Sequence, residues 1–372
     1  MQDVTQFYTL SHMSISLIGA VLLLMIYSNI RQRYRHLLEE DETKKRVDQG
    51  LLYLSLALFV WVFSGLWNYI STQFGFFGKF EYQIGIYLLS IVNNMFFLLA
   101  LFYFHYAPGF IYKNTKNVRL IISIIILVTM STFILSSIGG DLDYQGIRVY
   151  AIPDLLLSGF VSFLLMVSLY RTFMKRSLQL VAYISILVIV LMFVSQLPEV
   201  FQALNNSYTP ILIKLISKTA LIFIFLVLAT SWVIELANTP KANEMKIKFL
   251  EWSVIELSIP SKNMNATLID FGSKMTQYKN LLRFAVRRKL STGEEQSILV
   301  GSTGEIKSQT YLTRIIDNIN AIAVDDEIQK LERIDLFTFL GEGKYRLRML
   351  PEHIEINEEL LGEVIDNHLI IK

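Results

Sequence analysis

Seven stretches of about 20 mostly apolar residues constrain this chain more than any other feature: 9–30, 50–70, 84–106, 119–137, 153–171, 179–198 and 210–236. About 20 such residues are needed for a helix to cross the hydrocarbon core of a bilayer, where each backbone N–H and C=O must be satisfied inside the helix itself. A helix packed on a soluble core shows one apolar stripe, whereas 120–134 is apolar on every side. A soluble all-helical protein is therefore the poorer reading, and the stretches predict seven transmembrane helices. The N-terminal Met1-Gln2-Asp3-Val4 has no basic segment ahead of the first stretch and no small-residue cleavage site follows it, so 9–30 reads as a span and not as a leader.

Lysine and arginine set the expected orientation. The connection after the first stretch holds Arg31, Arg33, Arg35, Lys44, Lys45 and Arg46; that after the third holds Lys113, Lys116 and Arg119; that after the fifth holds Arg171, Lys175 and Arg176. The alternate connections hold only Lys79 and Arg148. Three separate loops thus agree on an N-terminus outside and a C-terminus in the cytoplasm. Composition supports a division near Asn238-Thr239-Pro240: residues 1–238 form the seven-helix membrane domain and 239–372 a small cytoplasmic α+β domain with ordinary charge content. The chain has no cysteine, which excludes disulfides, thiolate metal sites and cysteine nucleophiles.

Polar residues inside spans are costly and mark function. Lys214 and Lys218 lie four apart, on one face of the seventh span. Trp67 and Asn68 end the second span, Asp154 opens the fifth, and Gln196 and Glu199 end the sixth. Under the expected orientation all face outward at similar depth, with His12 near them and Asn93 and Asn94 deeper. Two ammonium groups predict a pocket for a small anionic ligand, with Asp154 or Glu199 as counter-ions and Trp67, Tyr87 and Phe97 as walls. The bland alternatives are lysine–carboxylate pairs that hold helices together, or a Lys214 that snorkels to headgroups. A retinal pigment is disfavoured because the third span offers Asn93 and Asn94 where such pigments carry a carboxylate. Transport is disfavoured by the lack of mid-membrane carboxylates and of inverted repeats.

In the second domain, 245–259 reads as a strand ended by Pro260, 276–290 and 305–322 as helices, 297–300 as a short strand or turn, and 335–349 as a hairpin around Gly341-Glu342-Gly343-Lys344. Strand, helix, helix, hairpin is the order of a winged helix. On that reading Lys307, Arg314, Lys344 and Arg346 would face nucleic acid, together with Gln309, Thr310 and the six positive charges of 274–289. Against it, the domain carries 18 basic and 20 acidic residues, and basic helices near a membrane meet anionic headgroups. No cofactor site is expected: Gly341-Glu342-Gly343-Lys344 lacks the first glycine and the Ser or Thr of a P-loop, Gly301-Ser302-Thr303-Gly304 fits no catalytic glycine motif, and no histidine pair has metal-ligand spacing. His353 and His368 are expected in a solvated acidic tail.

The layout of residues 1–236, including the span containing Ser90-Ile91-Val92-Asn93-Asn94-Met95-Phe96-Phe97-Leu98-Leu99-Ala100, resembles bacterial seven-transmembrane sensory receptors with intracellular signalling modules. It is similar, too, to the seven-helix sensor regions of some histidine kinases. The resemblance rests on span count, topology and a C-terminal module, and implies a receptor that passes an external or membrane signal to a cytoplasmic protein partner. Residues 240–372 depart from the usual outputs, with no phosphoacceptor histidine motif, ATP-binding glycine boxes or cyclase signature. A non-catalytic receptor is the first expectation. A membrane-tethered winged-helix regulator and a transporter or membrane enzyme are the alternatives, and the oligomeric state, homo-oligomer or monomer, is left open.

Overall fold

The computed structural model describes residues 2–40, 42–75, 80–103, 115–138, 143–144, 146–201, 209–323 and 330–366. They fall into two units, Met1–Arg35 with Lys44–Val233, and His36–Thr43 with Ile234–Lys372.

The first unit is a helical bundle: α1 (Gln2–Arg33), α3 (Glu42–Gln73), α4 (Phe80–Tyr103), α5 (Thr115–Ile138), α6 (Ile152–Lys175), α7 (Gln179–Val194) and α9 (Thr209–Ala237, after the one-turn α8, Leu197–Val200), while the short α2 (Arg35–Glu40) belongs, but for Arg35, to the second unit. Five of them contain segments long and apolar enough to cross a membrane: Phe7–Arg33, Asp48–Gln73, Ile84–Tyr103, Ile152–Lys175 and Thr209–Ala237. Two shorter apolar helices, Arg119–Leu135 and Gln179–Val194, occupy the fourth and sixth of the expected stretches. The sixth is shorter for a local reason. Pro198 has no N–H to donate to the Val194 carbonyl four residues back, and its ring crowds that carbonyl. The helix ends at Val194, Ser195 and Gln196 form a break, and one further turn follows. At 1.5 Å per residue its 16 residues span about 24 Å, below the roughly 30 Å of a bilayer core.

Close helix approach depends on two glycines. A Cβ on Gly19 would lie 2.4 Å from Ile222 Cγ2, so α1 and α9 meet there without a side chain between them. A Cβ on Gly85 would strike the Trp67 indole at 2.3 Å. α6 and α7 form an antiparallel pair closed by Ser177 in the left-handed region (φ 59), with Ser177 N–H donating to Met174 O and Leu178 N–H to Phe173 O. A two-residue ribbon, β1 (Asp143–Tyr144) with β2 (Ile147–Arg148), precedes α6.

The second unit is α+β with two small sheets. β3 (Lys246–Glu251), β4 (Val254–Ile259), β5 (Met264–Asp270) and β9 (Ile354–Ile356) form a sheet of order β5-β4-β3-β9, parallel only between β3 and β9. β6 (Ile298–Leu299), β7 (Phe337–Gly341) and β8 (Lys344–Leu347) form the antiparallel sheet β6-β8-β7. α10 (Met275–Leu290) joins them: Tyr278 packs on Phe249 of the first sheet at 5.8 Å between ring centres, and Phe284 on Phe337 of the second at 4.9 Å. α11 (Thr310–Ala323) buries Leu312, Ile315, Ile316 and Ile319 beside it. The short α12 (Arg333–Leu336) leads into β7, and α13 (Glu358–Asp366) follows β9. The buried cluster of this unit runs from Met245 to Leu360 and draws only on residues within that range, so the domain carries its own core.

Several expectations are corrected here. The strand expected over 245–259 is a hairpin that turns at Trp252 and Ser253, the latter at φ 74. The helix expected from 305 begins at Thr310, whose N–H is accepted by Ser308 Oγ, because 301–308 is a loop. His353 is no solvated tail residue: it is half-buried with Nδ1 3.1 Å from Met245 O, held there because Ile354 and Ile356 close the edge of the sheet. His368, Lys79, Lys113 and His105 lie outside the described residues.

The hairpin tip is Glu342-Gly343, both at positive φ (49 and 81), a turn whose twist matches the flanking strands. A Cβ on Gly343 would meet Val300 O at 3.2 Å and take a left-handed backbone. Gly343→Ala is expected to destabilise residues 239–372 by about 1–2 kcal/mol, and Glu342→Asn, which suits that backbone better, to raise stability slightly; urea midpoints of the isolated domain check both.

Tyr278 is fully buried, donates to Glu251 O at 2.9 Å, and its hydroxyl is pushed up from 10.0 to about 12 by burial. The folded state therefore holds this proton more tightly than the unfolded chain. Its contribution is complete below pH 10 and is lost as pH rises from 10 toward 12, at up to about 1.4 kcal/mol per pH unit. The Tyr278→Phe domain is expected to lack that alkaline fall, measured as the difference between the two urea midpoints from pH 8 to 11.5.

Candidate functional site

At the end of the bundle farthest along α9 from Ala237, five helices enclose a cavity of about 180 Å³. Helical spacing explains which residues reach it. α4 contributes Ser90, Asn93, Asn94 and Phe97, at i, i+3, i+4 and i+7; α6 contributes Asp154, Ser158, Ser162 and Leu165; α9 contributes Lys214 and Lys218. Trp61 comes from α3. Met192 comes from α7, and Gln196 from the break that follows it. Irregular backbone among apolar helices is tolerated where it lines a polar cavity, and Gln196 of the break does so. The Ser158 hydroxyl donates to the Gln196 side-chain oxygen across α6 and the break.

Lys218 Nζ sits 4.8 Å from the centre of the Trp61 ring, within cation–π range. Trp61 in turn packs on His12 at 5.8 Å and Phe97 at 5.9 Å, and His12 on Tyr8 at 5.7 Å. This row of rings is the apolar floor of an otherwise polar site. His12 is 6% exposed, and among the described residues its Nε2 has no hydrogen-bond partner, nor has the buried Asn93 Oδ1. A second cavity, of about 470 Å³, adjoins the first and includes Tyr82, Tyr87 and Arg148.

Of the residues expected from sequence, Lys214, Lys218, Gln196, Asp154 and Asn94 come together around the first cavity. Trp67 and Asn68 line neither. The Trp67 indole lies on Gly85 and donates to Tyr82 O at 3.2 Å, while Asn68 sits between Thr9 and the Tyr82 hydroxyl at 3.5 and 3.4 Å. Both hold helices together. The Glu199 side chain lies outside the described residues. Of the proposed walls, Phe97 lines the first cavity and Tyr87 the second. Trp61, Ser90, Ser158 and Ser162, with the apolar Val161, Leu165 and Met192, are the lining residues of the first cavity that sequence reading missed.

The basic residues of the second unit are dispersed in role. Lys307 and Arg314 are exposed, Arg314 near the Tyr311 ring at 5.9 Å, and Lys344 and Arg346 share the outer face of β8. Within 274–289, Arg288 is buried and donates to Met349 O at 2.9 Å, Arg287 pairs with Glu305 at 2.9 Å, and Lys274 donates to Asn318. Among the described residues, no group of three or more His, Asp or Glu side chains is placed to hold a metal ion.

Comparison with family models, with curated proteins and with solved structures finds no match.

Proposed function

We propose that the chain is a membrane sensor of seven spans, with its N-terminus outside and its C-terminal domain in the cytoplasm. A small anion enters the cavity from the outside, and the C-terminal domain passes the change to a protein partner. The observation that carries this reading is the cavity itself: two lysines, a carboxylate and several amides and hydroxyls converge from five helices in a bundle of apolar segments. Such groups are expensive in a bilayer unless they serve a ligand or one another. The continuous α9 supports coupling, since it carries both lysines near its first turns and runs to Ala237 at the edge of the C-terminal domain. A ligand moves such an element only if it binds two bundle states unequally.

Two measurements test the reading. The absence of cysteine lets single introduced cysteines report topology: an impermeant maleimide is expected to label Gln2→Cys on intact cells and Lys241→Cys only after permeabilisation. In nanodiscs, a bound anion is expected to change hydrogen exchange across 239–366, and Lys218→Ala to remove that change. Substrate flux in liposomes abolished by Lys218→Ala would instead make the protein a transporter and end the sensor reading.

A second reading is favoured by one feature. Helix α10, the short β6, helix α11 and the hairpin β7–β8 follow in an order that suits a winged helix, with the Glu342-Gly343 turn as the wing tip. Salt-dependent DNA binding by residues 239–372, weakened by Lys344→Ala and Arg346→Ala, would make this a membrane-tethered regulator.

A further inference from the structure

The two cavities share a neck and differ in chemistry. Ser90, Asp154 and Gln196 line both. Beyond the neck on one side lie Lys214 and Lys218. On the other side the walls are Tyr82, Ile86, Tyr87, Leu155 and Val200, with Arg148 of the β1–β2 ribbon. The polar chamber is the smaller, about 180 Å³ against about 470 Å³. We propose that this site takes a monocarboxylate with a short apolar tail, the carboxylate held by Lys214 and Lys218 and the tail in the second chamber. The inference deepens the sensor reading, on which it rests for the existence of a ligand.

Charge selects the head group. Among the described residues that line the polar chamber, two ammonium groups stand with one carboxylate, a balance that suits a monoanion better than a doubly charged phosphate in a poorly solvated place. Shape selects the tail. Half-buried Ile86, Tyr87 and Leu155 offer apolar surface that a bare inorganic anion leaves unused. Each tail methylene moved from water onto that surface strengthens binding about fourfold. Arg148 lines the wider chamber and not the polar one, so it is not assigned to the bound head group.

The test uses the full chain in nanodiscs, titrated calorimetrically with n-alkanoates from acetate to octanoate, the matching n-alkanols, and sulfate, with empty nanodiscs subtracted. Affinity is expected to rise about fourfold per methylene over the middle of the alkanoate series. Alkanols and sulfate are expected to bind at least tenfold more weakly than the best alkanoate. Lys218→Gln should weaken every alkanoate at least tenfold, Lys218→Arg only a few-fold, and Arg148→Gln little. Ala151 also lines the second chamber, and Ala151→Phe, which puts a ring there, should flatten the dependence on chain length and spare acetate. Dodecanoate supplied in the bilayer separates the sources: affinity that levels by octanoate marks a water-borne acid, and a continued rise marks a membrane-borne fatty acid. A flat series, alkanols as tight as alkanoates, no binding of any alkanoate, or loss with Arg148→Gln but not Lys218→Gln overturns the proposal. Alkanoate binding that leaves hydrogen exchange of the C-terminal domain unchanged removes the sensor reading and keeps this one; a response to sulfate with a flat alkanoate series does the opposite.

Discussion

Phe284→Ala is expected to destabilise the C-terminal domain by about 3–5 kcal/mol, which for a domain of this size lowers its melting temperature by roughly 15 °C. Phe284 is completely buried, and its ring lies 4.9 Å from that of Phe337. Its position raises the cost above that of an average core residue. α10 is the element that touches both sheets, through Tyr278 at one end and Phe284 farther along, so truncation loosens the second sheet from the helix that fixes it. Leu290, 55% exposed at the end of the same helix, is the control: Leu290→Ala is expected to stay within about 0.5 kcal/mol. Calorimetry on residues 239–372 reads both. A loss under about 1.5 kcal/mol for Phe284→Ala would mean that the sheets do not depend on this helix.

The fold was legible wherever hydrophobicity alone decides it. Runs such as 210–236 have one solution in a bilayer, and the helix found there, Thr209–Ala237, matches within a residue. The alternation around Gly341 and Gly343 marked the hairpin for the same reason. What stayed hidden depends on single residues. Val254 to Ile259 continue the apolar pattern begun at Phe249, and Trp252-Ser253 has none of the glycine or asparagine that announces a hairpin, yet Ser253 adopts φ 74 and its hydroxyl donates to Asp270 at 2.7 Å. That bond, with a second from the Gly272 N–H, holds the Asp270 carboxyl below the usual carboxylate range. β9 was hidden because three residues, Ile354 to Ile356, have no period to read; they form a strand through pairing with β3, over a hundred positions earlier.

For the site, the lysine spacing was decisive because four residues on a helix return to one face. The choice of tryptophan failed for the complementary reason. Trp61 and Trp67 are six residues apart, which rotates them by about 240° on the helix, so Trp61 reaches the cavity while Trp67 lies on Gly85, outside it. Sequence cannot choose between them without knowing which side neighbours lie on. The serines were unreadable for a different cause. A serine in an apolar helix normally bonds the carbonyl four residues back, as Ser168 does to Leu164 O at 2.7 Å, whereas Ser158 turns to Gln196 across a helix boundary. One loop basic residue has a packing role that its sequence position does not show: Arg176 donates to Ser231 and lies 5.6 Å from the Trp232 ring, tying the α6–α7 turn to α9.

Arg348→Ala is expected to cost the same domain about 3 kcal/mol, and in the full chain to do more than destabilise. Arg348 is 4% exposed and its guanidinium serves three backbone carbonyls at once: Pro240 O at 2.7 Å, Ile334 O at 3.3 Å and Asp335 O at 3.4 Å. Removing it leaves those acceptors without this donor in a place where water cannot fully replace it. Only a planar fork reaches them together, so Arg348→Lys, with one ammonium, is expected to recover less than half of the loss although the charge is kept. Pro240 lies three residues beyond the end of α9, which makes Arg348 the clamp between the linker and the hairpin strand β8. A helix that shifts on ligand binding can pull on the domain only through a linker that is fixed to it. If the chain is the sensor proposed above, Arg348→Met, which keeps an apolar stem, is expected to leave ligand affinity at the lysines unchanged while the hydrogen-exchange response of 239–366 falls at least threefold. If the response survives with the clamp removed, the signal reaches the domain by another route than the end of α9.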